Sequence, residues 1–563
     1  MILRLLACAT ALALALPAAA EPVLFTRMNG YTLDGSGTLQ RFDALLVDED
    51  GRVVATGGEA ALRERAGEAR IESMAGRTVL PGLTDAHGHL MGLGFALRQA
   101  DLVGTRSLDE ALERVRAFAD ARPGDGWIVG NGWNQVIWQL GRFPTASELD
   151  AVVADRPVWL ERVDGHAGWA NSAALKLAGI DRHTPDPVGG RIERDADGDP
   201  GGVLVDAAMG LVSAKIPPAD AAEARAALES ALVTLASLGL TSVHDAGIDA
   251  DDWHLFRQMA DADRLSLRIY AMVRDTGEDF DQIAANGPLL ASGNDHLTVR
   301  SVKMWADGAL GSRGAAMIEP YSDDPHNHGL LFRTPAELRN AVDKAFAQGF
   351  QVNIHAIGDA GVRQVLDAYS IAYKAHPEAR GLRNRVEHSQ IAALADIPRY
   401  LPLQLIASMQ PTHATSDMNM AEDRVGPQRI LGGYAWRRFL DQGTRIAGGS
   451  DFPVELPNPF FGLHAAVTRQ DHENHPDGGW YADQRMTREE ALRAFTLDAA
   501  WAAHQEARQG TLEPGKWADF IVIDRDYFSI PADKGREFAD GVYDIWKIGV
   551  LQTWVGGKRV FLR

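Results

Sequence analysis

Cysteine is almost absent. The 563-residue chain has one, Cys8, inside an N-terminal stretch that reads as a removable signal. The mature chain would then have no thiol and no disulfide, so any metal must be held by His, Asp, Glu or a modified Lys. Secreted scaffolds often rely on disulfides, but a chain this long can bury enough core without them. Basic charge is also short. With 56 Lys and Arg against 76 Asp and Glu, the net charge is −20, which argues against a nucleic-acid or anionic-membrane surface. The apolar run Leu5 to Leu16 is too short for a comfortable membrane span. Low-complexity tracts and solenoid-type repeats are missing.

Several features are present instead. Arg4, the apolar run and Pro17-Ala-Ala-Ala20 make a secretory signal over residues 1–20, with a positive start and a small-residue cleavage site. Leu5-Leu-Ala-Cys8 faintly resembles a lipoprotein site but has only a few residues before it. The expectation is a periplasmic or secreted protein, with no membrane attachment once the signal is removed.

Residues 21–78 look β-rich. Ala44 to Asp48 and Arg52 to Thr56 flank an acidic hairpin turn that ends in Gly51. Residues 506–563 have the same texture, with strands at Ala518 to Ile523 and Val550 to Val555. Both ends are expected to build one small β-sandwich beside a main domain over 79–505.

In that main domain eight strand candidates alternate with helical segments. They begin at Leu83, Thr241, Leu267, Val299, Gln351, Asn384, Leu405 and Thr444. Thr334-Pro-Ala-Glu337 and Thr487-Arg-Glu-Glu490 are helix-opening capping boxes. Eight βα units predict an α/β fold of the (β/α)8 TIM-barrel type, with its active site at the C-terminal strand ends. The first two strands lie unusually far apart, which marks an insertion at about 100–235 over that face. It holds Trp127, Trp133, Trp138, Trp159 and Trp169. These are either its core or an aromatic wall for an apolar substrate group, with Trp133 and Trp169 as the candidate contacts.

Possible metal ligands fall at the predicted strand ends. His87 and His89 face one way on the first, because strand side chains alternate. Lys303 ends the fourth strand, His355 the fifth, His388 the sixth and Asp451 the eighth. Any one of them has an ordinary structural explanation; six at matching positions of one barrel point to a metal centre. An ammonium cannot ligate. Lys303 is therefore either a salt-bridge partner, for instance of Asp307, or a lysine carboxylated by CO2 into an anionic bridge between two ions.

This series resembles the amidohydrolase superfamily. Ser301-Val-Lys-Met-Trp-Ala-Asp-Gly-Ala-Leu-Gly-Ser-Arg313, Asp164-Gly-His-Ala-Gly-Trp-Ala-Asn171 and Gly449-Ser-Asp-Phe-Pro-Val454 are similar to amidohydrolase family 3, the branch that contains N-substituted formamide deformylase. Thr511-Leu-Glu-Pro-Gly-Lys-Trp-Ala-Asp519 resembles the family's return to the sandwich. The resemblance implies one or two divalent ions, Zn being the expected one, which acidify a water and polarise a carbonyl. Asp451 would shuttle the proton. His166 and His244 are candidates for binding the substrate carbonyl or oxyanion, or are structural. Arg313 is a carboxylate clamp or half of a lid ion pair.

The expected activity is hydrolysis of non-peptide C–N bonds in a small-molecule substrate, with linear amides such as N-substituted formamides foremost. Cyclic amides or carbamates are the alternative substrates. A non-catalytic periplasmic binding protein is the rival of another class, and a homodimer is compatible with the sequence. Export makes a direct prediction: the intact mass of the mature protein starts at or near Glu21, and retention of Met1 would refute it.

Overall fold

The computed structural model describes residues 21–163, 165–530 and 544–563. The signal stretch 1–20, Cys8 within it and Asp164 of the quoted motif lie outside the described residues.

Eight parallel strands form the central barrel. They are β1 (Leu83–Gly88), β2 (Leu240–Ile248), β3 (Arg268–Arg274) and β4 (Leu297–Trp305). The others are β5 (Gln351–Ala356), β6 (Arg385–His388), β7 (Ile406–Met409) and β8 (Ile446–Gly448). They are hydrogen-bonded in that sequence order. Most are buried along their whole length, as a parallel sheet covered by helices requires. Thr334 and Thr487 cap their helices through the expected boxes. Between β6 and β7 the described connection has only a 3-10 turn, Ile397–Arg399, where a crossover helix would be usual.

β8 closes the barrel against β1. Asp451 N–H donates to His87 O at 2.7 Å, and His89 N–H donates to Phe452 O at 2.8 Å. Asp85 accepts from Ser450 Oγ at 2.6 Å and from His87 N at 3.0 Å. The approach is tight: a Cβ on Gly449 would lie 2.6 Å from His87 N and 2.7 Å from Asp85 Oδ1, so only glycine fits the seam.

The chain ends meet in one sheet. One six-stranded sheet orders Lys558–Leu562, Val550–Val555, Phe520–Ile523, Thr78–Pro81, Asn29–Leu33 and Leu39–Phe42. A four-stranded sheet holding Val23–Thr26 packs on it, through Phe25, Phe520 and Trp554. A buried Arg268–Asp519 pair at 2.7 Å fixes this unit to β3.

The segment between β1 and β2 has its own six-stranded sheet, running from Ala100–Asp101 to Gly190–Arg194. Its core contains Trp133, Trp138 and Trp169, with ring centroids 6.1–6.4 Å apart; Trp169 meets the other two edge-on, and Trp133 and Trp138 are tilted to each other. The indole N–H of Trp133 donates to Leu160 O at 2.8 Å and that of Trp169 to Thr145 O at 2.8 Å, so both rings are fully satisfied inside. Trp133→Ala should therefore lower stability by about 3–5 kcal/mol, the usual cost of truncating a buried aromatic, read as a drop in the unfolding midpoint. An unchanged midpoint would refute the core assignment.

Candidate metal centre

The strand ends converge as β geometry demands. His87 and His89 leave β1 on the same face, and closure of β8 brings Asp451 to them. Asp451 Oδ1 lies 3.1 Å from His89 Nε2 and 3.4 Å from His87 Nε2. Two ligands each about 2.0–2.2 Å from one ion at tetrahedral angles are about 3.4 Å apart, so these three donors fit a shared divalent ion. Lys303 Nζ lies 3.2 Å from His87 Nε2. His388 is tucked between His87 and His355, with ring centroids 4.7 and 4.5 Å away. His388 and Asp451 both hold left-handed backbone, at φ 68° and 64°, a conformation that costs non-glycine residues about 1–3 kcal/mol and concentrates at functional sites.

The protonation states suit ligation. Burial and the neighbouring Lys303 push His87 down to about 4, so its ring is neutral. Burial does the same to His388, which is lowered well below the ordinary histidine value. Burial raises the Asp451 carboxyl, but its histidine surroundings, with the hydrogen bond from His89 among them, leave it well below the ordinary carboxylate value. Burial lowers Lys303 against the pull of Glu387 and Asp451.

Two residues outside the expected set complete the centre. Glu387, fully buried, contacts His87 Nδ1 and accepts from Arg385 Nη2 at 2.9 Å. Burial raises the Glu387 carboxyl, but Arg385 and His87 hold it well below the usual carboxylate range. It thus fixes the His87 proton on Nδ1 and leaves Nε2 bare for a metal. His413, in the helix Pro411–Asp417 after β7, lies against His388 with its Nε2 3.8 Å from Asp451 Oδ2. Glu387 was legible as the inward residue two after Arg385. His413 was hidden because Pro411 starts a helix, and no strand periodicity marks its direction.

The other expected residues are distributed as follows. His355 Nε2 turns to Gly308 O at 3.4 Å and Asp307 Oδ1 at 3.6 Å. Asp307 is not the partner of Lys303; it accepts from the backbone of Ala316, Ile357 and Gly358 at 2.7–3.0 Å. His244 is fully buried, and its Nδ1 accepts from Arg385 at 3.0 Å, so it supports the arginine that holds Glu387. His166 lies exposed on the insertion and pairs with Asp206 at 2.9 Å. Arg313 pairs with Asp323 at 2.9 Å, which Arg424 also engages; the loop ion pair is the arrangement present. Trp133 and Trp169 belong to the insertion's core and supply no aromatic wall.

Glu387→Gln keeps the shape but removes the charge. It should weaken Zn affinity about 10–100-fold, the typical effect of losing a carboxylate behind a ligating histidine, measured by chelator competition. Unchanged affinity would show that the contact does not orient His87.

Comparisons with known proteins agree with this geometry. The amidohydrolase family profile matches residues 71–561. Protein LONG AFTER FAR-RED 3 of Arabidopsis thaliana is 34% identical over 548 residues, covering 95% of this chain and 91% of its own length. N-substituted formamide deformylase of Arthrobacter pascens is 30% identical over 556 residues, covering 95% and 97%. The crystal structure of an uncharacterized metal-dependent hydrolase from Pyrococcus horikoshii superposes with a TM-score of 0.74 at 26% identity, covering 91% of this chain and 99% of that one. Barrel, ligand cluster and near-complete profile coverage converge: the chain belongs to the amidohydrolase family and is a hydrolase.

Proposed function

We propose that the protein hydrolyses the C–N bond of linear amides with an apolar N-substituent, N-substituted formamides being the class to test first, and that it acts outside the cytoplasm. The observation that carries the chemistry is Asp451, a carboxylate seated with Oδ1 against both imidazoles of β1 while Oδ2 lies 3.8 Å from His413 Nε2. The substrate class is supported by the Arthrobacter relative and by the barrel mouth. Leu330, Phe332, Val454 and Leu456 are all more than half exposed, on the loops that leave β4 and β8. Phe332 N–H donates to Ala306 O at 2.8 Å, so that loop is tied to the end of β4. These side chains, and not the tryptophans, offer an apolar surface to a substituent.

His87, His89 and Asp451 would hold a divalent ion, with Zn matching the N and O donors, and Lys303, His355 and His388 border it. Such an ion supplies an acidified water and a Lewis acid for the amide carbonyl. Glu387 and Arg385 keep His87 oriented. Asp451 accepts the proton of the attacking water and returns it to the leaving nitrogen. Lys303, buried beside His87, is the amine that CO2 would carboxylate.

Asp451→Asn separates the roles of this residue, because it keeps the size and removes the proton acceptor. With saturating Zn, kcat on an N-substituted formamide should stay about 10²–10⁴-fold below wild type. A Zn-replete Asp451→Asn enzyme with full kcat would overturn the mechanism. A wild-type enzyme that turns over cyclic amides but no linear ones would overturn the substrate class.

A further inference from the structure

Trp305 is the last residue of β4. It stands two beyond Lys303, so strand alternation turns both side chains into the barrel. Its Cα pairs in register with that of His355 on β5, which puts the indole one layer above Lys303, at the mouth. The setting differs from that of the insertion's tryptophans. Trp133 and Trp169 are fully buried, with their N–H groups committed to carbonyls. Trp305 is only partly buried and joins none of the hydrophobic cores of the described residues. Its neighbours are instead an amine and a glycine. Lys303 Nζ lies over the ring, 4.9 Å from its centroid, and 3.2 Å from His87 Nε2. Gly247, in the bulged end of β2, faces the benzo edge: a Cβ there would lie 3.7 Å from Trp305 Cη2. Glycine at that position leaves the edge uncovered. The strand end is also tied to the apolar loop, because Phe332 N–H donates to Ala306 O and Ala306 N–H to His355 O, at 2.8 and 2.9 Å.

We infer that Trp305 is a specificity-determining residue, the platform on which an aromatic N-substituent stacks while the amide carbonyl lies at the metal centre. Lys303 covers one face of the ring, and the other face receives the substituent. The inference rests on the amide-hydrolysis reading above and narrows its substrates from apolar to aromatic substituents. Burial alone would not discriminate in that direction, since a saturated ring of the same length removes at least as much apolar surface from water. An indole platform does, because offset or edge-to-face rings gain energy beyond the area they bury.

The test compares kcat/KM for N-(2-phenylethyl)formamide with that for its saturated counterpart, N-(2-cyclohexylethyl)formamide. Wild type should prefer the phenyl compound. Trp305→Leu should lower that preference about 2–10-fold, the worth of one aromatic pair. Trp305→Phe should keep most of it, and Trp133→Phe should leave it at the wild-type value. An unaltered preference in Trp305→Leu would overturn the inference, as would a wild-type preference for the cyclohexyl compound. A second measurement needs neither turnover nor the leucine variant. In 5-fluorotryptophan-labelled wild type, the fluorine resonance missing from Trp305→Phe is that of Trp305. It should shift with added 2-phenylethanol and move less with 2-cyclohexylethanol; equal shifts, or none, would refute the platform. Failure of the amide-hydrolysis reading would appear separately, as absent turnover of both formamides, and the fluorine shifts then decide the platform alone.

Discussion

Closure of the barrel between β8 and β1 is the constraint on which the site depends. Asp451 reaches His87 and His89 because its backbone N–H is bonded to His87 O and the His89 N–H to Phe452 O. Asp85 sits under this seam. Burial raises its carboxyl to about 7, against hydrogen bonds from Ser450 and the His87 backbone. A buried carboxylate is tolerated only where such donors surround it. The same seam excludes a side chain at residue 449. Metal-site geometry and barrel closure are therefore one event, since a slip of β8 would part the carboxylate from both imidazoles.

Burying this many ionisable groups requires that they cancel. Lys303 and Arg385 stand against Glu387 and Asp451, and all four lie below a tenth exposed. Breaking a buried set by removing one member leaves an uncompensated charge. Here the balance also sets proton positions. Glu387 holds the His87 proton on the side away from the ion position, and Gln410 does the same for His388. Both rings therefore turn bare nitrogens toward the centre before any ion arrives, which reduces the reorganisation that binding demands.

Most of the frame was legible because it is periodic. Buried parallel strands are continuous apolar runs, and chemistry gathers where they end, so His87, His89, His388 and Asp451 stood out, although His388 and Asp451 reach the centre through left-handed backbone and not through strand alternation. Helix starts at Thr334 and Thr487 were legible because a capping box is local. What escaped was directional. His413 sits on a helix whose orientation depends on how β7 ends, and the turning of His355 Nε2 to Gly308 depends on the loop after β4. Glu387 was overlooked beside the more conspicuous His388, although strand alternation sends it into the barrel toward His87.

The tryptophans show why composition alone misleads about specificity. A six-stranded sheet set apart from the barrel must bury a core of its own, because the barrel's apolar surface is already covered by helices. Indoles fill that core efficiently provided each N–H finds a carbonyl, as Trp133 and Trp169 do. Aromatic side chains committed this way cannot also face a substrate. The apolar residues Leu330, Phe332, Val454 and Leu456, on the loops leaving β4 and β8, are by contrast exposed. Such loops change without cost to the fold. The loops are therefore free to vary while Asp85, Gly449 and Glu387 stay fixed by geometry.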